Sequence, residues 1–250
     1  MVGVKGVNSV SDENKNLMLE LSDVSLSYHS KRTTFEHGVH NVLNGVSLKL
    51  SEGEILGVIG KNGCGKTTIL QVMAGILAPN SGIVRQRPGT SAALLTLGLG
   101  FKPQLSGRDN TIIAAMLQGA TQKQALSYLE EIKEFSELGD FFEEPVKTYS
   151  AGMRSRLGFT TALITHVDIL LVDEVLSVGD AHFKQKAEAA LKERITGEQT
   201  VVFVSHAAVQ IKSICDRVIW INDGKIAAEG DPDEVLSHYD GFLNSMKKKD

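Results

Sequence analysis

Residues 17–28 read "LMLELSDVSLSY", where apolar and polar positions come close to alternating, the period of a half-buried strand. A polar loop, "HSKRTTFEHGVH", follows, and then a second strand-like piece near "VSLKL". "EILGVIG", "DILLVDE" and "TVVFVSH" have a different character. They are short and apolar at successive positions, as expected of strands buried on both faces. "AALLTLGLGF" reads as another strand running into a loop. After "EILGVIG" the spacing becomes helical: "TTILQVMAGIL" places Ile69, Met73 and Ile76 on one face, and Pro79 and Gly82 stop it. From about residue 107 to 165 the pattern is mostly helical, for example "QKQALSYLEEIKEF". "RVIWINDGKIAAEG" predicts a hairpin turning at Asp223-Gly224, and a last helix begins near Pro232. Strand, helix, strand, helical insert, strand, helix, strand is the order of an α/β fold. It predicts a mainly parallel core sheet with antiparallel β elements and an inserted α-helical subdomain at about 105–165.

Composition narrows the class without changing this picture. The 250 residues suffice for one large domain, expected over 17–246 between a polar leader (1–16) and a basic tail (247–250). Lys and Arg total 26 against 30 Asp and Glu, a net charge of -4, which is not the basic excess of a nucleic-acid binder. The two cysteines, Cys64 and Cys215, cannot make a disulfide framework. The leader lacks the apolar core of a signal peptide. No uncharged apolar run approaches the ~18 residues that span a bilayer. Any membrane connection must then come through a partner. His29, His37 and His40 lack ligand-like spacing and read as part of a solvated loop.

The sharpest chemistry lies at residues 60–67, "GKNGCGKT", a G-x-x-x-x-G-K-[ST] loop between a buried strand and a helix. In such a loop Gly60, Gly63 and Gly65 let the backbone curl so that successive N–H groups point at phosphate oxygens. The following helix end adds partial positive charge. Lys61, Asn62, Cys64 and Thr68 complete the cradle, Lys66 reaches the β- and γ-phosphates, and Thr67 ligates Mg²⁺. Cys64, beside Lys66 and a helix N-terminus, is expected to have a lowered thiol pKa if exposed. In "ILLVDE" four buried positions precede Asp173 and Glu174, which emerge at the strand end where open α/β sheets bind ligands. Asp173 is placed to hold Mg²⁺, directly or through water, and Glu174 to orient or deprotonate the attacking water. His206, ending "VVFVSH", is placed to contact the γ-phosphate and that water.

Together these motifs resemble the nucleotide-binding subunit of ATP-binding cassette (ABC) transporters, over about residues 17–236. The resemblance implies ATP hydrolysis with Mg²⁺ and assigns Tyr28 to stack on adenine. "YSAGMRSRL" falls at the family's signature, Leu-Ser-Gly-Gly-Gln in its usual form. Ser150, Ala151 and Gly152 would close on the γ-phosphate held by a second subunit. "SVGD" resembles the D-loop, where Asp180 either sits at the subunit interface, caps the next helix, or does both. A glutamine belongs directly after "AALLTLGLGF", but Lys102 follows Phe101 and Gln104 comes two places later, so the family role of that glutamine is not carried over.

Ser-Ala-Gly-Met, "LLVDEVLSVGDAHF" and "GFKPQLSGRDN" are similar to one branch, the ATPase subunits that export bacterial polysaccharides such as O-antigen, capsule or teichoic acid. That branch implies a homodimer of ATPase subunits with two copies of a transmembrane permease, at the cytoplasmic face of the plasma membrane. The permease would carry a lipid-linked glycan. Some members bear an extra C-terminal carbohydrate-binding domain, for which 250 residues leave no room. An exporter of another substrate, or a soluble ABC protein acting on nucleic acid or ribosomes, is the alternative. Positions 66 to 149, 84 residues, separate Gly65 from Ser150 and cannot hold the coiled-coil arm of DNA-repair members.

Overall fold

The computed structural model describes residues 16–29, 38–95, 100–173, 180–197 and 199–247. β1 (Leu17–His29) and β2 (Val39–Ser51) pair antiparallel. After β3 (Ile55–Ile59) and α1 (Lys66–Met73), β4 (Ser81–Gln86) returns to the free edge of β1, giving a three-stranded sheet ordered β2-β1-β4. β5 (Ala92–Leu95) begins the second sheet's outer edge. Then come α2 (Gly107–Leu117), α3 (Gln122–Ser127), α4 (Leu129–Ser136) and α5 (Ala151–Ile164), all helical as the spacing predicts. β6 (Ile169–Asp173), α6 (Ala181–Ile195), β7 (Thr200–Val204), α7 (Ala208–Ile214), β8 (Arg217–Asn222), β9 (Lys225–Gly230) and α8 (Pro232–Lys247) complete the chain.

The six-stranded sheet runs β5-β6-β7-β3-β8-β9, parallel except for the last hairpin. Its apolar runs are buried on both faces because two layers cover it. Ile169 and Leu171 of β6 join Leu56, Val58 and Val202 against the three-stranded sheet and α1. The alternate residues, Leu170 and Val172, face Phe159 of α5, Phe183 of α6, Ile211 of α7 and Leu236 of α8. A third, smaller core holds the helical subdomain: Leu129, Ile132, Phe142, Val146, Tyr149 and Leu157. The hairpin turn needs positive φ at both central residues, and Asp223 (48°) and Gly224 (73°) supply it.

Three expectations change. β2 starts at Val39, inside the stretch read as loop. β4 was not expected from the sequence; it is largely exposed on both faces, so it carries no hydrophobic period to read. α1 ends at Met73, where a left-handed Gly75 turns the chain, so Ile76 lies beyond the helix and is 49% exposed instead of sharing the face of Ile69 and Met73.

Candidate nucleotide site

β3 delivers the chain to residues 60–65, and α1 starts at Lys66. Two glycines are obligatory. A Cβ on Gly60 (φ 151°) would stand 2.4 Å from the Ile221 carbonyl and 2.6 Å from Cys64 Sγ. One on Gly65 (φ 108°) would meet the Val42 carbonyl at 2.8 Å. The loop is therefore pressed between β8 and β2, and only glycine fits. Lys66 is buried, and its Nζ bridges the loop by donating to the carbonyls of Gly60 (2.8 Å) and Lys61 (2.9 Å). Thr67 Oγ1 donates to Asp173 Oδ2 at 2.7 Å, joining the start of α1 to the end of β6. β7 lies beside β6 with Val204 opposite Asp173, which brings His206 to the same rim. The His206 imidazole is held below its ordinary pKa, first by burial and then by the Lys66 charge, with Asp173 opposing.

A cleft of about 500 Å³ runs from Tyr28 across Asn62, Gly63, Gly65, Lys66, Thr67 and Thr68 to Asp173. Seven residues of the expected phosphate and adenine set, and the expected metal ligand Asp173, thus share one surface. Tyr28 is 45% exposed at its edge. His40 and Val42 also line the cleft. His40 reads as loop in the linear order, and its place follows from its pairing opposite Tyr28 across β1 and β2. Lys61 and Cys64 do not line the cleft. Burial raises the Cys64 thiol above its ordinary value, and the opposing Lys66 charge does not overcome it. The lowered thiol expected for an exposed cysteine is therefore not found, because the side chain is half-buried.

Ser150, Ala151 and Gly152 are not brought to Lys66 within one chain. Ser150 Oγ accepts from the Met153 amide (3.1 Å) and caps α5. Ser150 and Gly152 line a separate cavity with Arg156 and Asp180. Asp180 caps α6, its Oδ1 accepting from the amides of His182 (3.1 Å) and Phe183 (3.0 Å). These amides, the Phe183 amide first, and the Arg156 guanidinium hold its carboxyl below the usual range. Arg156 also lies 5.1 Å from the centroid of the Phe183 ring. Glu174 and residues 175–179 of the stretch before Asp180 lie outside the described residues.

Gln104 is exposed in the turn after Phe101 and does not line the cleft. That turn is organised by Asn110, which is buried. Its Oδ1 accepts from the Lys102 amide (2.6 Å), and its Nδ2 donates to the carbonyls of Lys102 (3.0 Å), Leu105 (3.1 Å) and Ser106 (2.9 Å).

A glycine-cradled lysine, a hydroxyl tied to a strand-end carboxylate and a helical insert between them match a known architecture. Residues 43–177 match the ABC transporter family. The chain belongs to that family. It is 38% identical over 235 residues to the teichoic acids export ATP-binding protein TagH of Staphylococcus saprophyticus, spanning 94% of this chain and 86% of that protein. It is 40% identical over 209 residues to the O-antigen export system ATP-binding protein RfbB of Myxococcus xanthus, spanning 84% of this chain and 48% of that one. The TagH of Bacillus anthracis is also 40% identical, and the match covers 38% of its length. The chain thus spans about half or less of two of these relatives. Among solved folds, an ATP-binding subunit of an ABC transporter superposes with TM-score 0.69 at 21% identity over 89% of this chain and 93% of its own. An ATP-binding cassette solved as a dimer in a post-hydrolysis state, with ADP and phosphate bound, superposes with TM-score 0.66 at 22% identity, covering 86% and 99%.

Within this ABC cassette the residue ahead of Ser150 has a structural explanation. Tyr149 is buried in the core of the helical subdomain, and its hydroxyl donates to the Phe141 carbonyl. Burial, with Glu143 nearby, pushes that hydroxyl up to about 12. A Cβ at Gly107 would lie 2.2 Å from the Tyr149 oxygen, so the first turn of α2 accommodates the larger residue by having no side chain there.

Proposed function

We propose that this chain is the ATP-binding and hydrolysing subunit of an exporter of a lipid-linked bacterial polysaccharide. The observation that carries the ATPase half is the single cleft shared by Tyr28, Asn62, Gly63, Gly65, Lys66, Thr67 and Asp173. The polysaccharide half is supported by the names of the relatives: teichoic acids export for one, O-antigen export for another. Tyr28 stacks the adenine. The loop amides and Lys66 hold the phosphates, so Lys66 exchanges its contacts with the Gly60 and Lys61 carbonyls for phosphate oxygens.

The donor set suits a hard divalent cation. Thr67 Oγ1 and Asp173 Oδ2 are two oxygens 2.7 Å apart. Thr67 and Asp173 would hold Mg²⁺ there, with phosphate and water free to complete its oxygen shell. Mg²⁺ held there would supply positive charge against the charge developing on the transferred phosphoryl group. Glu174, next after Asp173, orients the attacking water, and His206 contacts the γ-phosphate from the neighbouring strand. Ser150, Ala151 and Gly152, turned away from their own chain's cleft, serve the ATP held by a second copy.

In this reading two copies close over two ATP molecules and reopen after hydrolysis, and two membrane subunits convert the motion into glycan movement. No helix among the described residues is long and apolar enough to cross a membrane. The same reading puts the chain at the cytoplasmic face, attached through those subunits. The test joins turnover to export. Lys66→Ala should abolish Mg²⁺-dependent ATP turnover by the purified complex and remove the glycan from the cell surface. A complex that hydrolyses ATP while surface glycan is unchanged by Lys66→Ala would refute the export assignment. Absence of Mg²⁺-dependent turnover in the unmutated complex would refute the ATPase.

A further inference from the structure

Lys61 is the second residue of the phosphate loop, yet its side chain leaves the cleft and runs to α8. Its ammonium stands 5.0 Å from the centroid of the Phe242 ring and meets Met246 Sδ. Phe242 packs on Trp220, centroids 5.0 Å apart, and Tyr239 lies 5.6 Å from the same indole. Among the described residues Trp220 Nε1 has no hydrogen-bond partner, so packing holds this ring. Trp220 pairs in register with Ile59, the last residue before the loop. The contacts therefore close a circuit from the strand that launches the loop, through Trp220 and Phe242, back to the loop's second residue. Tyr239 extends it to Cys64, whose proximity adds to the burial that raises the tyrosine hydroxyl.

The backbone of Lys61 gives this circuit a consequence. Its carbonyl accepts from Lys66 Nζ at 2.9 Å and from the Cys64 amide at 3.3 Å. A displacement of Lys61 moves the oxygen that docks Lys66 and the turn that aims the loop amides. A cation near the phosphates would ordinarily be expected to face them. Here the charge is spent on an aromatic face, an attraction worth more as the pair is desolvated.

We propose that α8 straps the phosphate loop, with Phe242 and Met246 as positioning residues that act through Lys61 to set its affinity for MgATP. This rests on the loop being the nucleotide site. Lys61 is thereby an anchor of the loop, contributing its backbone to the cradle while its ammonium grips α8.

The test uses the full chain, with MgATP titrated by displacement of a fluorescent trinitrophenyl-ATP and turnover measured in parallel. Phe242→Leu keeps the apolar contact and removes the ring face. It should weaken MgATP binding about 3- to 10-fold, with KM rising more than kcat falls. Phe242→Trp restores a ring and should stay within about two-fold of the parent. Lys61→Met should match Phe242→Leu, and the double variant should lose no more than the worse single one. Multiplying losses in the double variant, or equal loss in Phe242→Leu and Phe242→Trp, would overturn the strap. Lys66→Ala separates the premise: if that variant still binds MgATP as the parent does, the nucleotide site itself is misassigned.

Discussion

Gly107→Ala tests how Tyr149 is accommodated ahead of Ser150. Gly107 opens α2, and helix propensity alone favours alanine over glycine by up to about 1 kcal/mol. Packing opposes this. The new Cβ would lie 2.2 Å from the Tyr149 hydroxyl and 2.9 Å from the Phe142 carbonyl. Tyr149 is 4% exposed and hydrogen-bonded to Phe141, so it has no solvent to move into. Overpacking costs about 1–3 kcal/mol, and pulling the buried Tyr149 hydroxyl off its acceptor about 1–3 more. The clash should win, with a net destabilisation of about 1–5 kcal/mol.

Tyr149→Phe removes the oxygen that is struck and by itself should cost about 1 kcal/mol. In that background the nearest remaining contacts of the Cβ are the Phe142 carbonyl and the ring carbon at 3.3 Å. Gly107→Ala should then cost at least about 1 kcal/mol less than in the parent. Urea unfolding of the four chains, followed by circular dichroism, gives the cycle. ATP turnover should fall in Gly107→Ala and recover in the double variant, because Tyr149 adjoins Ser150. A neutral or stabilising Gly107→Ala, or losses additive to within about 0.5 kcal/mol, would refute the packing account.

Glu174→Gln should retain MgATP binding and slow turnover by at least about 100-fold; unchanged turnover would remove Glu174 from the reaction. His206 is held below its ordinary pKa by burial and Lys66 against the opposing pull of Asp173, so Lys66→Met should raise its pKa and Asp173→Asn should lower it. Imidazole NMR titration reads both, and shifts in the same direction would contradict the placement of His206 between the two charges. The raised Cys64 thiol should react slowly with iodoacetamide near neutral pH and faster as pH rises toward about 9, with MgATP slowing the reaction by covering the loop. A rate independent of pH over that range would mean that the thiol is not raised.

The local features were legible because each depends on a contiguous stretch. Apolar runs at 55–59, 169–173 and 200–204 report burial on both faces. Glycines and a lysine at fixed spacing, between strand and helix, report a phosphate cradle. Asp223-Gly224 reports its own turn through the positive φ that both residues adopt. What the linear order does not contain is which stretches become neighbours. β3 lies between β7 and β8, with Ile55 opposite Val201, so Asp173, His206 and Lys66 meet through sheet order.

The tertiary structure alone decided that His40 lines the cleft through its register with Tyr28, and that Ile76 leaves α1 for solvent. It also decided that Ser150 caps its own helix away from Lys66, and that Lys61 turns toward Phe242. Each depends on side chains approaching from distant parts of the chain. Hydrophobic period and motif spacing describe the backbone's local state and which face it buries. They carry no information about the partner that covers that face.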